Sequence, residues 1–431
     1  MSIARHFLLI STALFSNFIS ANHLIENPNS SVSIDKFSAV SCDQSGQLCL
    51  AVGSDKNAKI SNLQIYKSQN AGIDWSTPIT LQKALFESSS DSLEAQISCD
   101  SSGLACAIVR VGKIEESLTP MTYFTKDGGL TWSGPHVIFH PTSFVKDNIH
   151  VGIKCSDDGA SCIIMSTSNK NRDISSKIYV ISQNGEKWEQ SAPIIKPIGA
   201  ESDSYLMDID CNNTGLYCTA VGYTNISNHF WESYHSVPVM YVTEDGGIHW
   251  HDPIVSIKNE YIKNKCNILS NVSCSDTGRQ CIVIGVEFDV NFDQKYYSYS
   301  IKDDGLTSEG PSLFPNNTYL KSIDCGTSGA NCEVVGAYVY SNDIFSGLFR
   351  PIIFHTNNSG LSWNQIVEPE VFPIYSKLTD IFCSKTEDHC AYVGFQFNTN
   401  EKTFKSSRKI KLNSLGYVQS SIALGQNASQ H

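Results

Sequence analysis

Short stretches of alternating apolar and polar residues run into a cysteine seven times along the chain. The residue two places before that cysteine is always Val or Ile: Val40, Ile97, Ile153, Ile209, Val272, Ile323 and Ile381. An octet from cysteine to cysteine follows each time, as in CDQSGQLC, CDSSGLAC, CSDDGASC, CNNTGLYC, CSDTGRQC, CGTSGANC and CSKTEDHC. A second apolar stretch then begins, for example CLAVG, CTAVG or CIVIG. A period of two is the signature of a strand with one buried face. Six of the seven octets put Gly fifth, where a tight turn wants positive φ. The pattern predicts a β-hairpin written seven times. Its cysteines stand opposite one another, at the separation a disulfide needs: Cys42/Cys49, Cys99/Cys106, Cys155/Cys162, Cys211/Cys218, Cys274/Cys281, Cys325/Cys332 and Cys383/Cys390. Zinc would need closely spaced ligand pairs such as C-x2-C, which the chain lacks, so no metal and no cofactor is expected. Cys266 is left over, placed by this reading on the connection before the fifth unit, as a free thiol or a site for an intermolecular bond.

Further along each unit a third strand leads into a polar turn. SQNAGIDW (68–75), TKDGGLTW (125–132), TEDGGIHW (243–250) and TNNSGLSW (356–363) share S/T-x-D/N-x-G-x-x-W. SQNGEKW (182–188) is one residue short, and IKDDGLTS (301–308) lacks the leading hydroxyl and the Trp. The chemistry is that of a self-bonded turn, in which Asp or Asn accepts from turn N–H groups and the hydroxyl closes the far side. Trp then buries its ring between sheets. This motif resembles the Asp-box, or bacterial neuraminidase repeat, of β-propellers such as sialidases, other glycoside hydrolases and sortilin-type receptors. The resemblance covers nearly the whole chain and implies an architecture, not an activity. Units of 51 to 63 residues, counted cysteine to cysteine, with four strands each, imply an all-β, seven-bladed propeller. The expected blades lie near 34–84, 92–140, 148–198, 205–257, 268–315, 320–370 and 378–425, the last with its outer strand at 417–424. Residues 22–33 form a linker and 426–431 a tail.

Composition changes the picture in two ways. Residues 7–15, FLLISTALF, follow Arg5 and His6 and precede ISA (19–21), which reads as a secretory signal over 1–21 and an exported chain. No later segment is apolar enough to span a membrane. The net charge of −12 opposes a nucleic-acid partner, which would need clustered Lys and Arg. Sequons at Asn29, Asn212, Asn225, Asn271, Asn316, Asn357 and Asn427 leave the source undecided.

In a propeller with this strand order, the disulfide hairpins and the Asp-boxes share one face. The resemblance implies that function lies on the other face, because in the resembling enzymes the Asp-box face is away from the active site. The connections between units and the loops between the second and third strands are expected to carry it. Three of these loops are short and polar (54–62, 112–120, 168–176). The fourth to sixth (223–238, 287–297, 338–350) are aromatic, with Phe230, Trp231, Tyr234, Tyr296, Tyr340, Phe345 and Arg350 gathered on one sector. Exposed aromatics suit sugar stacking or a protein interface, and equally suit long loops tied down on themselves. The expected role is therefore a monomeric binding protein for a glycan or protein ligand, with a glycoside hydrolase as the alternative. Catalytic motifs are thin. DTG (276–278) falls inside a hairpin turn, and FRPI (349–352) transposes the sialidase F/Y-R-I-P signature. Beyond the signal only five arginines remain (Arg110, Arg172, Arg279, Arg350, Arg408), too few well-placed for a carboxylate-gripping triad. Asp208, Asp210, Asp324, Asp380 and Lys154 fall on the innermost strands, where they hydrate a channel or serve as paired acids.

Overall fold

A computed structural model describes residues 36–55, 62–72, 74–81, 95–114, 117–138, 148–170, 173–182, 187–200, 203–227, 234–254, 266–288, 294–302, 307–340, 349–367, 376–385, 390–398 and 405–406. These residues form antiparallel sheets in which consecutive strands pair in chain order. Each unit starts with an inner strand: Lys36–Cys42, Ala95–Cys99, Asn148–Cys155, Tyr205–Cys211, Cys266–Cys274, Thr318–Cys325 and Ser376–Cys383. Its final cysteine faces a cysteine at or next to the start of the second strand. All seven disulfides form in this register: Cys42 with Cys49, Cys99 with Cys106, Cys155 with Cys162 and Cys211 with Cys218. Cys274 likewise bonds Cys281, Cys325 bonds Cys332 and Cys383 bonds Cys390. The Cα atoms of the pairs are 3.9 to 4.1 Å apart. The fifth-position Gly of the first octet has φ 73°, in the left-handed region that the turn demands.

The core sits between sheets, as expected of a propeller whose strands are buried on both faces. One apolar cluster joins units one and two through Leu50, Leu63, Ile97 and Tyr123, and another joins five and six through Ile284, Tyr296, Ile323 and Phe354. The cluster around Phe37, Tyr66, Leu378 and Tyr392 joins the last unit to the first, closing the ring. Backbone hydrogen bonds make the same circuit at the hairpin turns. Gln44 N–H donates to the Ser101 carbonyl (2.8 Å), Ser101 to Asp157 (2.8 Å), Asp157 to Asn213 (2.8 Å), Asn213 to Asp276 (3.3 Å) and Asp276 to Thr327 (3.0 Å). The Thr327 hydroxyl donates to the Lys385 carbonyl (2.6 Å), and Lys385 N–H returns to Gln44 (3.1 Å).

The expectation of seven complete blades is corrected. Six units present all four strand positions, although the outermost strand of the fourth is reduced to the Met240–Ile254 bridge. The last unit has two full strands and a two-residue third at Lys405–Ser406. Among the described residues six blades are therefore seen, not seven, and the seventh hairpin fills the remaining place in the ring. Its expected outer strand at 417–424 lies outside the described residues, as do the signal and linker. Cys266 is also corrected: it opens the inner strand of the fifth unit, paired with Phe288, and does not lie in the preceding connection.

Candidate functional site

The polar turns have the bonding their spelling implies. In TKDGGLTW, Thr125 Oγ1 donates to Asp127 (2.7 Å) and accepts from Gly129 N–H (3.0 Å), while Asp127 accepts from Thr131 N–H (2.9 Å). The same three bonds recur at Ser68/Asn70, Thr243/Asp245 and Thr356/Asn358. Burial alone would raise the Asp127 carboxyl, but the donors at Thr131 and Thr125 hold it down at about 2. Each box also bonds to the hairpin turn of its own unit, as when Gly128 N–H donates to Leu104 and Gly246 to Leu216. Boxes and disulfides thus share one face, the lower face. Their polar groups are engaged within the turns themselves.

The bridged cysteines hold the hairpins and are not ligand groups. Cys49, Cys218, Cys281 and Cys332, on the second strands, are at most 3% exposed. They pack in the apolar layers between sheets and stand outside the lining of the axial cavity. Their partners Cys42 and Cys211 touch that lining, but with their sulfurs already bonded. A sulfur in a disulfide is neither a thiolate nucleophile nor a metal ligand.

At the lower mouth this cavity, of about 140 Å³, lies on the axis, lined by Lys154, Asp157, Asp208, Asp210, Asp324 and Asp380 among others. Its four inner-strand acids are joints between units. Asp208 accepts from Val272 N–H (2.9 Å), Asp210 from Cys274 (2.7 Å), Asp324 from Cys383 (2.6 Å) and Asp380 from Val40 (2.9 Å). Their second oxygens are occupied as well: Asp208 by Ile209 N–H, Asp210 by Lys154 at 2.7 Å, Asp324 by the Ser273 hydroxyl and Asp380 by the Ser322 hydroxyl. Elsewhere serine does the same work, with Ser41, Ser98 and Ser273 accepting from the N–H of Cys99, Cys155 and Cys325. Desolvation raises Asp208 to about 7, and Asp324 and Asp380 to about 6. For Lys154, burial alone would lower the ammonium, but Asp210 and Asp324 hold it above its ordinary range. Glycoside hydrolysis needs one carboxyl free to protonate the leaving oxygen and another free to attack or to activate water. Carboxylates with both oxygens committed to the scaffold are poorly placed for either task. Lys385 also pairs with Asp276, the aspartate of the DTG triplet, which fixes that triplet as part of the turn ring.

The opposite, upper mouth is aromatic and cationic. Tyr205 stacks on Tyr223 at 5.3 Å between ring centroids, with His150 6.3 Å from Tyr205 and donating to the Met207 carbonyl oxygen. Across units six and seven, Lys321 Nζ lies 5.3 Å and Lys377 Nζ 5.8 Å from the Tyr319 ring centroid. Arg350 lies 5.4 Å from the ring of Tyr340, which is 43% exposed and packs on Tyr338.

Of the residues expected here, the structure brings Tyr340 and Arg350 together. Tyr296 is corrected: only 4% exposed, it packs edge-on to Tyr319 at 6.1 Å inside the core between units five and six. The third strand of its unit starts at Gln294, so Tyr296 falls in the sheet and not in a loop. Tyr234 opens a strand opposite Ser227. Phe230, Trp231 and Phe345 lie outside the described residues. Sequence reasoning missed Tyr205, Tyr319 and Lys377, which share one signal: each lies six residues before its unit's first cysteine, where the inner strand begins.

No family model matches the sequence, and no curated protein matches it. Among solved structures, a GH74 enzyme from Niastella koreensis is similar with a TM-score of 0.51 at 11% identity, over 88% of this chain and 54% of that one. A GH74 xyloglucanase from Xanthomonas campestris has a TM-score of 0.49 at 10% identity, over 88% and 55%. A Hadza microbial sialidase has 0.45 at 11% identity, over 79% and 67%. The chain spans about half the length of the two GH74 proteins. Likeness at such identity concerns the fold alone, and the match at a TM-score of 0.51 agrees with the sheets and disulfides, which make the chain an all-β propeller.

Proposed function

We propose that this is an exported Asp-box propeller of seven units, spanning about residues 34–425 and acting as a glycan-binding protein through its upper face. The supporting observation is the division of labour between the two mouths. The inner carboxylates have both oxygens hydrogen-bonded within the scaffold, one of them in each case to the next unit, while the upper end presents tyrosines and cations. A flat aromatic ring is a good platform for a sugar face, and aromatic anchors carry much of a recognition surface's energy. Phe230, Trp231, Tyr234, Tyr340, Phe345 and Arg350 belong to the proposed surface, with Tyr205 and Tyr319 added. Seven disulfides suit an oxidising compartment, and no helix among the described residues is long and apolar enough to cross a membrane.

A glycan array probed with the chain lacking residues 1–21, beside a chromogenic glycoside panel, tests this reading. Binding without turnover is expected. Tyr205→Ala combined with Tyr340→Ala should weaken that binding by at least about tenfold, because anchors of this kind are each worth more than 1 kcal/mol. Sustained glycoside release that survives loss of these tyrosines would replace the binding reading with a hydrolase.

A further inference from the structure

The residue after the second cysteine of an octet can reach the disulfide of the next unit. Thr219 shows this in the fourth unit, its Oγ1 lying 3.6 Å from Cys281 Sγ. At this position the other units carry Leu50, Ala107, Ile163, Ile282 and Ala391, but the sixth carries Glu333. A carboxylate oxygen of Glu333 and the sulfurs of Cys383 and Cys390 all lie within 4.8 Å of one another. Glu333 is buried between units six and seven. Tyr392 of the seventh unit donates to its Oε2. His355 Nδ1 stands 3.8 Å from its Oε1, and the His355 side chain is 34% exposed, so the group borders solvent on that side. Asp324, opposite Glu333 on the inner strand, lines the axial cavity and accepts from Cys383 N–H.

A carboxyl held in this way tends to keep its proton. Desolvation raises Glu333 to about 7, with the Tyr392 bond opposing. In disulfide exchange a thiolate attacks one sulfur and the other leaves, and the step is faster the more readily the leaving sulfur takes the charge. A proton donor beside the leaving sulfur supplies that help. Two more features set this bridge apart. Its octet, CSKTEDHC, is the one without Gly at the fifth place, where the other six hold a left-handed turn. Cys390 is 7% exposed, against 0–3% for Cys49, Cys106, Cys218, Cys281 and Cys332, and among second-strand cysteines only Cys162, at 9%, is more open.

We propose that Cys383–Cys390 is a thiol–disulfide exchange site for a small-molecule dithiol, with Glu333 as its general acid. One thiolate of the dithiol bonds to one cysteine sulfur and the Cys383–Cys390 bond breaks. The electron pair goes to the other sulfur, which takes the proton of Glu333. The second thiol then gives its proton to the Glu333 carboxylate and attacks the dithiol's own sulfur in the mixed disulfide. A cyclic disulfide leaves, and the released cysteine sulfur takes a proton from solvent. The protein cystine gains two electrons and the dithiol loses two. None of this depends on the glycan-binding reading.

The test is timed reduction of the oxidised protein with limiting dithiothreitol at about pH 6, where little thiolate is present, quenched by alkylation and mapped by peptide mass spectrometry. The other six bridges serve as internal controls. Cys383–Cys390 should open first. Glu333→Gln keeps the shape and removes the acid, so it should slow this bridge at least about tenfold and leave the other six unchanged. A packing role alone predicts the opposite, because a loosened seam exposes the bridge and speeds its reduction. The gap between parent and variant should close as pH rises through about 7, where the carboxyl gives up its proton. Glu387, Asp388 and His389 of the turn are common to both proteins, so that gap reports Glu333. Equal or faster opening in the variant, a gap that ignores pH, or another bridge opening ahead of this one would overturn the proposal. If Glu333→Gln does not fold, the parent decides alone. The rate of this bridge relative to the other six should fall as pH rises through about 7, and a constant ratio would overturn the proposal.

Discussion

A single side chain in this fold is specified by the bonds it can close within its own turn. Asp127 collects N–H and hydroxyl donors from Thr125 and Thr131 while remaining at the surface. Replacing it with Ala leaves those donors to water or to nothing. Asp127→Ala is expected to cost about 1–3 kcal/mol of stability and to leave ligand affinity intact in the folded protein, because the box lies on the lower face. Parallel denaturant melts and binding titrations decide this, and lost affinity without lost stability would place the ligand on the wrong face. The turn residues were legible in the sequence because their partners are two to five positions away. Tyr296 was not: its neighbours Tyr319 and Phe354 come from the next unit, and no local pattern separates a tyrosine in a sheet from one in a loop. The roles of Ser41, Ser98 and Ser273 escaped for the same reason, since each accepts from a cysteine N–H one whole unit away.

At the scale of the element, the repeated hairpin is over-determined. Gly with positive φ, the facing cysteines and the alternating apolar positions all require the same register, and local agreement of this kind marks a sequence that folds uniquely. This made the hairpins readable, and with them the propeller. The outer strands are shorter and polar, as in SGPHV (133–137) and TSEGPSL (307–313), and their weaker signal made the number of complete blades harder to foresee. Each disulfide closes a small loop already held by strand pairing, so its worth is at most roughly 2.5 kcal/mol by loop entropy. Single Cys→Ala substitutions should therefore be mild and complete reduction severe, measured as melting temperature against the number of bridges cut. Peptide mapping without reductant should recover only bridges within a unit, and a bridge between units would contradict the register seen here.

For the molecule as a whole, the ring of inner acids makes stability depend on pH in an unusual direction. Burial raises Asp208 to about 7 and Asp324 and Asp380 to about 6, and outside the ring, on the second strand of the sixth unit, it raises Glu333 to about 7. The folded ring therefore keeps protons that the unfolded chain releases near pH 4. That contribution is complete below the unfolded value and is lost as pH rises through 6 and 7. Asp127, Asp158 and Asp245 are shifted down and act oppositely, losing their contribution only in stronger acid. Melting temperature should be higher near about pH 5 than near about pH 8, and a profile rising steadily across that interval would contradict the burial of these groups. The seam has a further consequence, for a chain still being synthesised. Most joints link neighbouring units, so each can form soon after the later unit emerges. The last one must wait: Val40 meets Asp380 only 340 positions later, and Thr379 reaches back to Phe37. Until then the flank carrying Phe37 and Tyr66, which the finished ring buries, stays open to water on one side of an incomplete molecule. Exposed apolar flanks of that kind draw in other unfinished chains at cellular concentrations. The nascent protein is thus at its most adhesive through nearly the whole of translation, and release from that state comes with the final hairpin.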